Sequence, residues 1–133
     1  MRNATATAVV VMLGLSGAAP TGVLAQFTPP TAPAAVEPAT LFSRQCGTCH
    51  VVDEAGGQRQ GPNLRGVFGR KAGTLAGFKY SPGFAASGIV WDETTLDAYL
   101  TNPQALISTS VMAYRQANAG TRKTIIDWLQ EQH

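Results

Sequence analysis

Cys46-Gly47-Thr48-Cys49-His50 decides the reading of this chain, because it puts two thiols and an imidazole within five consecutive residues. At this spacing two cysteines add to the vinyl groups of a haem while the adjacent histidine reaches the iron, so one short segment fixes both porphyrin and metal. Three other readings compete. A thioredoxin-like redox pair wants a βαβ context, and no strand alternation surrounds the motif. Half of a zinc site needs four ligands, whereas the chain has no third cysteine and only one further histidine, His133. A disulfide between Cys46 and Cys49 closes a tiny loop, and stabilisation by loop closure grows with loop length. Haem attachment is the favoured reading.

The chain has 133 residues and a formal charge of +2, one domain's worth of sequence. Residues 1–25 read as a signal peptide: Arg2 is a minimal positive region, residues 8–15 are apolar, and Val23-Leu24-Ala25 makes a small-residue cleavage site before Gln26. A retained anchor is the rival, since residues 4–25 carry no charge and are long enough to span a bilayer. Gly14, Gly17, Pro20 and Gly22 favour the cleaved form. Loss of Arg2 takes the 10 basic side chains to 9 against 8 acidic ones. That balance, with no basic run, gives no support to nucleic-acid binding.

Residues 26–38 are rich in Pro, Ala and Thr, without helical or strand period, and read as a disordered lead. The folded domain is expected at 39–133. A first helix fits 39–46, closed by the Cys-x-x-Cys-His segment. Residues 56–88 are Gly-rich with many turn signals, a length of loop that a buried cofactor would organise. Asp92 is a plausible N-cap for a helix to about Thr101, with Leu96, Tyr99 and Leu100 at helical spacing and Asn102-Pro103 ending it. A last helix from about Thr121 carries the stripe Ile125, Ile126, Trp128 and Leu129.

Beyond the signal segment the only methionine is Met112, because Met1 and Met12 fall within it. Thioether sulfur is a soft ligand suited to reduced iron, so Met112 is the natural sixth ligand opposite His50. The competing role is a core gap-filler. The adjacent carboxylates Asp53 and Glu54 read as solvated.

The chain resembles class I cytochromes c, the family of mitochondrial and bacterial c2-type carriers, over nearly all of residues 39–132. The features, in order, are Phe42, the Cys46–His50 motif, Gly61-Pro62-Asn63-Leu64, Phe68-Gly69-Arg70-Lys71, Gly77-Phe78-Lys79-Tyr80, Trp91, Tyr99, Asn102-Pro103 and Met112. The 62-residue gap from His50 to Met112 also agrees. The resemblance implies an all-α cytochrome c fold, three to five helices and long loops wrapped around one covalent haem c. It implies thioether bonds at Cys46 and Cys49 and iron ligation by His50 and Met112. Pro62 would offer its carbonyl to the remaining N–H of His50, a partner that metal-bound imidazoles require. Arg70, Tyr80 and Trp91 would hydrogen-bond the haem propionates, Ser110 would do so as a Thr does in relatives, and Tyr99 would lie beside the methionine sulfur. Phe42 and Trp128 would pack where the first and last helices cross.

Two departures stand out. The family often has Pro-Gly ahead of the ligand methionine and a glycine in the first helix, whereas here Ile107-Ser108-Thr109-Ser110-Val111 precedes Met112 and Pro38 takes the glycine's place. Only Lys71, Lys79 and Lys123 supply lysine charge, so steering towards acidic partners should be weak. Docking is expected through an apolar rim at Leu106, Ile107 and Val111.

The function implied is that of a monomeric single-electron carrier of the periplasm, not an enzyme. Its partners would be an electron donor and acceptor such as a dehydrogenase, a cytochrome bc1-type complex or a terminal oxidase of a respiratory chain. One alternative is a tethered subunit held by an uncleaved N-terminus, with the 13-residue lead reaching on the order of 40 Å when extended. The other is an open-site haem protein with ligand-binding or peroxidase-like activity.

Overall fold

Five helices and the loops between them follow from local capping and apolar spacing in a computed structural model that describes residues 36–133. Helix α1 spans Pro38–Gln45. Pro38 sits in its first turn, where a missing N–H costs nothing and a fixed φ favours the helix. The lead expected at 26–38 therefore ends one residue earlier than its composition suggests. Residues 1–35, which include the expected signal peptide and most of the expected lead, lie outside the described residues.

Helix α3, Glu93–Thr101, begins with the expected cap. Thr95 N–H donates to Asp92 Oδ1 at 2.8 Å, and Asp92 N–H donates back to Thr95 Oγ1 at 2.8 Å. Leu96, Tyr99 and Leu100 are its buried face. Helix α5, Ala119–Gln130, starts two residues before the expected position because Asn118 Oδ1 accepts from Thr121 N–H at 2.9 Å. Ile125, Ile126 and Leu129 are buried and Trp128 is half-buried.

Two short helices differ from the sequence reading. Helix α2, Pro82–Ala86, interrupts the stretch read as loop, and α4, Pro103–Leu106, follows Asn102-Pro103 directly. Each opens with a proline in its first turn, and Pro103, expected to end α3, also starts α4. Gly73 lets the preceding loop lie on α2: its φ is +76°, and a Cβ there would fall 2.9 Å from the Ala85 nitrogen.

Helix α1 packs on α5, α5 on α3 and α3 on α4. The α1/α5 crossing is fixed by Phe42 against Trp128, ring centroids 4.6 Å apart and planes tilted 33°. Sheet is limited to one antiparallel bridge, Lys71 with Val90, among the described residues. Trp91 N–H donates to the Arg70 carbonyl at 3.0 Å and Gly69 N–H to the Trp91 carbonyl at 2.7 Å. This clasp brings Arg70 and Trp91 together across 20 residues of chain. No helix of the described residues is long and apolar enough to cross a membrane.

Ile107 corrects the expected docking rim. It is 3% exposed and packs beneath α2 at Gly83, because the turn at the end of α4 directs its side chain inward. Leu106 is half-buried, and Val111 stands out at 90% exposure.

Candidate functional site

The chain leaves α1 through Cys46, whose N–H closes the helix on the Phe42 carbonyl at 2.7 Å. His50 N–H donates to the Cys46 carbonyl at 2.9 Å, folding the five-residue motif into a tight turn. Arg59 donates to the Gly47 carbonyl, and Cys49 Sγ donates to Gln60 Oε1 at 3.4 Å. Cys46 and Cys49 are not bonded to each other. Burial pushes the Cys46 thiol up to about 11, with the neighbouring Cys49 adding to the effect.

His50 is held by a second segment laid against the first. Gly61 N–H donates to the Cys49 carbonyl at 2.7 Å and Leu64 N–H to the Val51 carbonyl at 2.8 Å, which brings Pro62 O to 2.8 Å from His50 Nδ1. A carbonyl only accepts, so Nδ1 carries the hydrogen and Nε2 keeps a free lone pair. Burial lowers the His50 pKa below its ordinary value, the Pro62 bond opposing it in part. Gly61 is required by contact. A Cβ there would lie 2.6 Å from Nδ1 and 2.8 Å from Nε2, inside the imidazole itself.

Asn63, quoted in the sequence but given no role, organises this segment. It is buried, its Nδ2 donates to the Asp53 carbonyl at 2.7 Å, and its Oδ1 accepts from Arg65 N–H at 2.9 Å and Asp53 N–H at 3.3 Å. The only hint in the sequence is a short polar residue between Pro62 and Leu64. Asp53 and Glu54 are exposed, and Glu54 meets Arg65 at 3.7 Å.

A cavity of about 380 Å³, mainly apolar, collects every sequence-derived candidate: Cys46, Cys49, His50, Pro62, Arg70, Tyr80, Trp91, Tyr99, Ser110 and Met112 all line it. Leu64, Val67, Phe84, Leu96, Leu100, Ile125 and Leu129 supply its apolar walls. Arg70 donates to the Arg65 carbonyl at 3.0 Å and the Asn63 carbonyl at 3.1 Å, which fixes its guanidinium on the wall with donors to spare. Burial lowers the Arg70 pKa and raises that of Tyr80, each partly offset by the other group. Trp91 and Tyr99 stack edge to face, 5.1 Å between centroids. Tyr99 Oη and Ser110 Oγ are 2.6 Å apart, and burial raises the Tyr99 pKa, opposed by that bond. Met112 is half-buried, on the irregular segment between α4 and α5. No group of three or more His, Cys, Asp or Glu among the described residues is placed to hold a metal ion, which leaves the zinc reading without a site.

The family model for cytochrome c matches residues 35–132. The chain belongs to the cytochrome c family. It is 54% identical to cytochrome c2 iso-2 of Magnetospirillum fulvum over 69 residues, 52% of this chain and 71% of that protein. It is 43% identical to cytochrome c2 of Rhodoplanes tepidamans over 79 residues, 59% of this chain and 74% of the relative. Cytochrome c of Ulva intestinalis is 41% identical over 95 residues, 71% and 80% of the two chains. The cytochrome thus has the all-α fold of the class I proteins, carries one haem c bound covalently through Cys46 and Cys49, and is a haem-based electron carrier that works with redox proteins.

The residues present fit that group. The thiols line the cavity, an imidazole whose Nδ1 is held by the Pro62 carbonyl turns Nε2 to it, a thioether lines the same space, and apolar walls suit a porphyrin. The functional residues beyond the sequence reading are Asn63 and Gln104, whose amide nitrogen donates to the Met112 carbonyl at 2.7 Å. Neither shows a periodic signal, because both act across irregular chain.

Proposed function

We propose that the cytochrome is a single-electron carrier, not an enzyme, with iron ligated by His50 and Met112, serving redox partners in the periplasm. One observation carries this reading: an imidazole anchored on a backbone carbonyl and the only methionine beyond residue 12 line one mainly apolar cavity. Haem bound there supplies a one-electron iron couple, whose potential a thioether ligand raises relative to a second imidazole. The chain does the rest. Pro62 fixes the tautomer and orientation of His50, and the apolar walls exclude water.

Arg70, Tyr80 and Trp91 are the groups that meet the propionates in this reading, since buried carboxylates need donors. Tyr99 and Ser110 share one hydrogen bond, whichever donates, and retain one O–H for a propionate or the methionine sulfur. The exposed Val111 and the half-buried Leu106 form the docking edge. With so few lysines, electron-transfer rates should fall only gently between low and moderate salt. The periplasmic assignment rests on the signal-like residues 1–25 and the likeness to cytochromes c2.

Potentiometry of Met112→Ala tests the ligand set. The variant should have a lower reduction potential than the wild type and a high-spin ferric spectrum. An unchanged potential and spin state would remove Met112 from the iron.

A further inference from the structure

Met112 lies on a segment without regular structure between α4 and α5, and without the Pro-Gly that often stiffens the approach to the ligand methionine. Gln104, on α4, reaches across this segment. Its Nε2 donates to the Ser110 carbonyl at 3.1 Å and to the Met112 carbonyl at 2.7 Å, so both amide hydrogens are used on the two carbonyls that flank Val111. Arg115 Nη2 donates to Gln104 Oε1 at 2.9 Å. The amide orientation is forced: turned over, its oxygen would face two acceptors and its nitrogen a group that only donates.

The geometry points to Gln104 as a positioning residue that, oriented by Arg115, clamps the Met112 loop and keeps the methionine on the iron. This rests on the Met112 ligation proposed above. Val111 between the clamped carbonyls is 90% exposed, so its side chain contributes little packing to hold the loop. The turn before it contributes one backbone bond, Ser110 N–H to the Ile107 carbonyl at 2.8 Å. Tyr99 and Thr109 tie the loop further back, at Ser110 Oγ and Gly83 N–H, whereas the bond from Gln104 holds the Met112 carbonyl itself. A state with Met112 released binds an external ligand, and the apparent affinity for that ligand scales with the released fraction.

The test is an imidazole titration of the ferric holoprotein at fixed neutral pH, following the near-infrared sulfur-to-iron band. Gln104→Leu removes both donors and should tighten apparent imidazole binding about tenfold, given the usual worth of two hydrogen bonds. Gln104→Glu keeps the size and the Arg115 contact but turns oxygen to the carbonyls, and should behave like Gln104→Leu. Were the side chain only filling space, Gln104→Glu would match the wild type. Arg115→Ala, at an exposed position, should tighten binding about threefold and serves if Gln104→Leu does not fold. Unchanged imidazole affinity in these variants, with the band present in the wild type, overturns the clamp alone. A wild-type spectrum without the band overturns the Met112 ligation and the clamp with it.

Discussion

The two walls that carry the proposed iron ligands are built on different physical terms. On the His50 wall two backbone segments lie in direct contact, joined at Gly61–Cys49 and Leu64–Val51, with the Pro62 carbonyl on the imidazole and no space for even a methyl group at Gly61. On the Met112 wall long side chains span an irregular segment: Gln104 to two carbonyls, Tyr99 to Ser110, and Arg122 to the carbonyls of Gln116 and Ala117 at 2.9 and 3.0 Å. Backbone contact leaves a ligand little freedom, whereas side-chain struts can be released one at a time. The difference teaches that the histidine side is set by sterics and the methionine side by a sum of modest polar bonds.

Breaking the first wall should give the largest effect. Gly61→Ala forces a Cβ against the His50 ring, whose place is fixed by the Pro62 carbonyl, and such overpacking costs about 3 kcal/mol. Guanidinium denaturation of the holoprotein should show that loss together with a poor yield of attached haem. Arg122→Ala removes the strut between α5, α3 and the Met112 segment and leaves Asp97 without its partner at 2.6 Å. Because the Asp97 side chain is 44% exposed, the loss should be about 2 kcal/mol, below that for a fully buried pair, read from the same denaturation midpoint.

Tyr99→Phe deletes the buried 2.6 Å bond to Ser110 and should cost about 1 kcal/mol, with a measurable rise in imidazole affinity as the loop loosens. The smallest effect belongs to Val111→Ser. At 90% exposure it should change stability by less than about 0.5 kcal/mol, so a thermal-melting shift of several degrees would show that this side chain supports the wall after all.

The same contrast explains what the sequence made legible. Helices α3 and α5 were readable because Leu96, Tyr99 and Leu100, and Ile125, Ile126 and Leu129, recur at helical spacing, the first set behind Asp92; the Asn118 cap of α5 was not read. Cys46, Cys49 and His50 were readable as a contiguous motif, Met112 as the only methionine beyond residue 12, and Pro62, Arg70, Tyr80, Trp91, Tyr99 and Ser110 through family resemblance. Helices α2 and α4 are too short for a period, and their prolines read as breaks. Ile107 looked like rim because nothing local shows that α2 covers it. Gln104 and Asn63 were silent for a related reason. Their partners lie 6 to 10 residues away across turns, where side-chain identity carries no periodic signature.

Ligation by His50 and Met112 in one cavity is the central claim. Its most direct test is the proton spectrum of the reduced holoprotein with labelled methionine methyl groups. A methyl group held over the porphyrin face feels its ring current, so the account predicts the Met112 methyl signal far upfield of the ordinary methionine range, absent in Met112→Ala. A wild-type spectrum with the Met112 methyl at its ordinary position would contradict it.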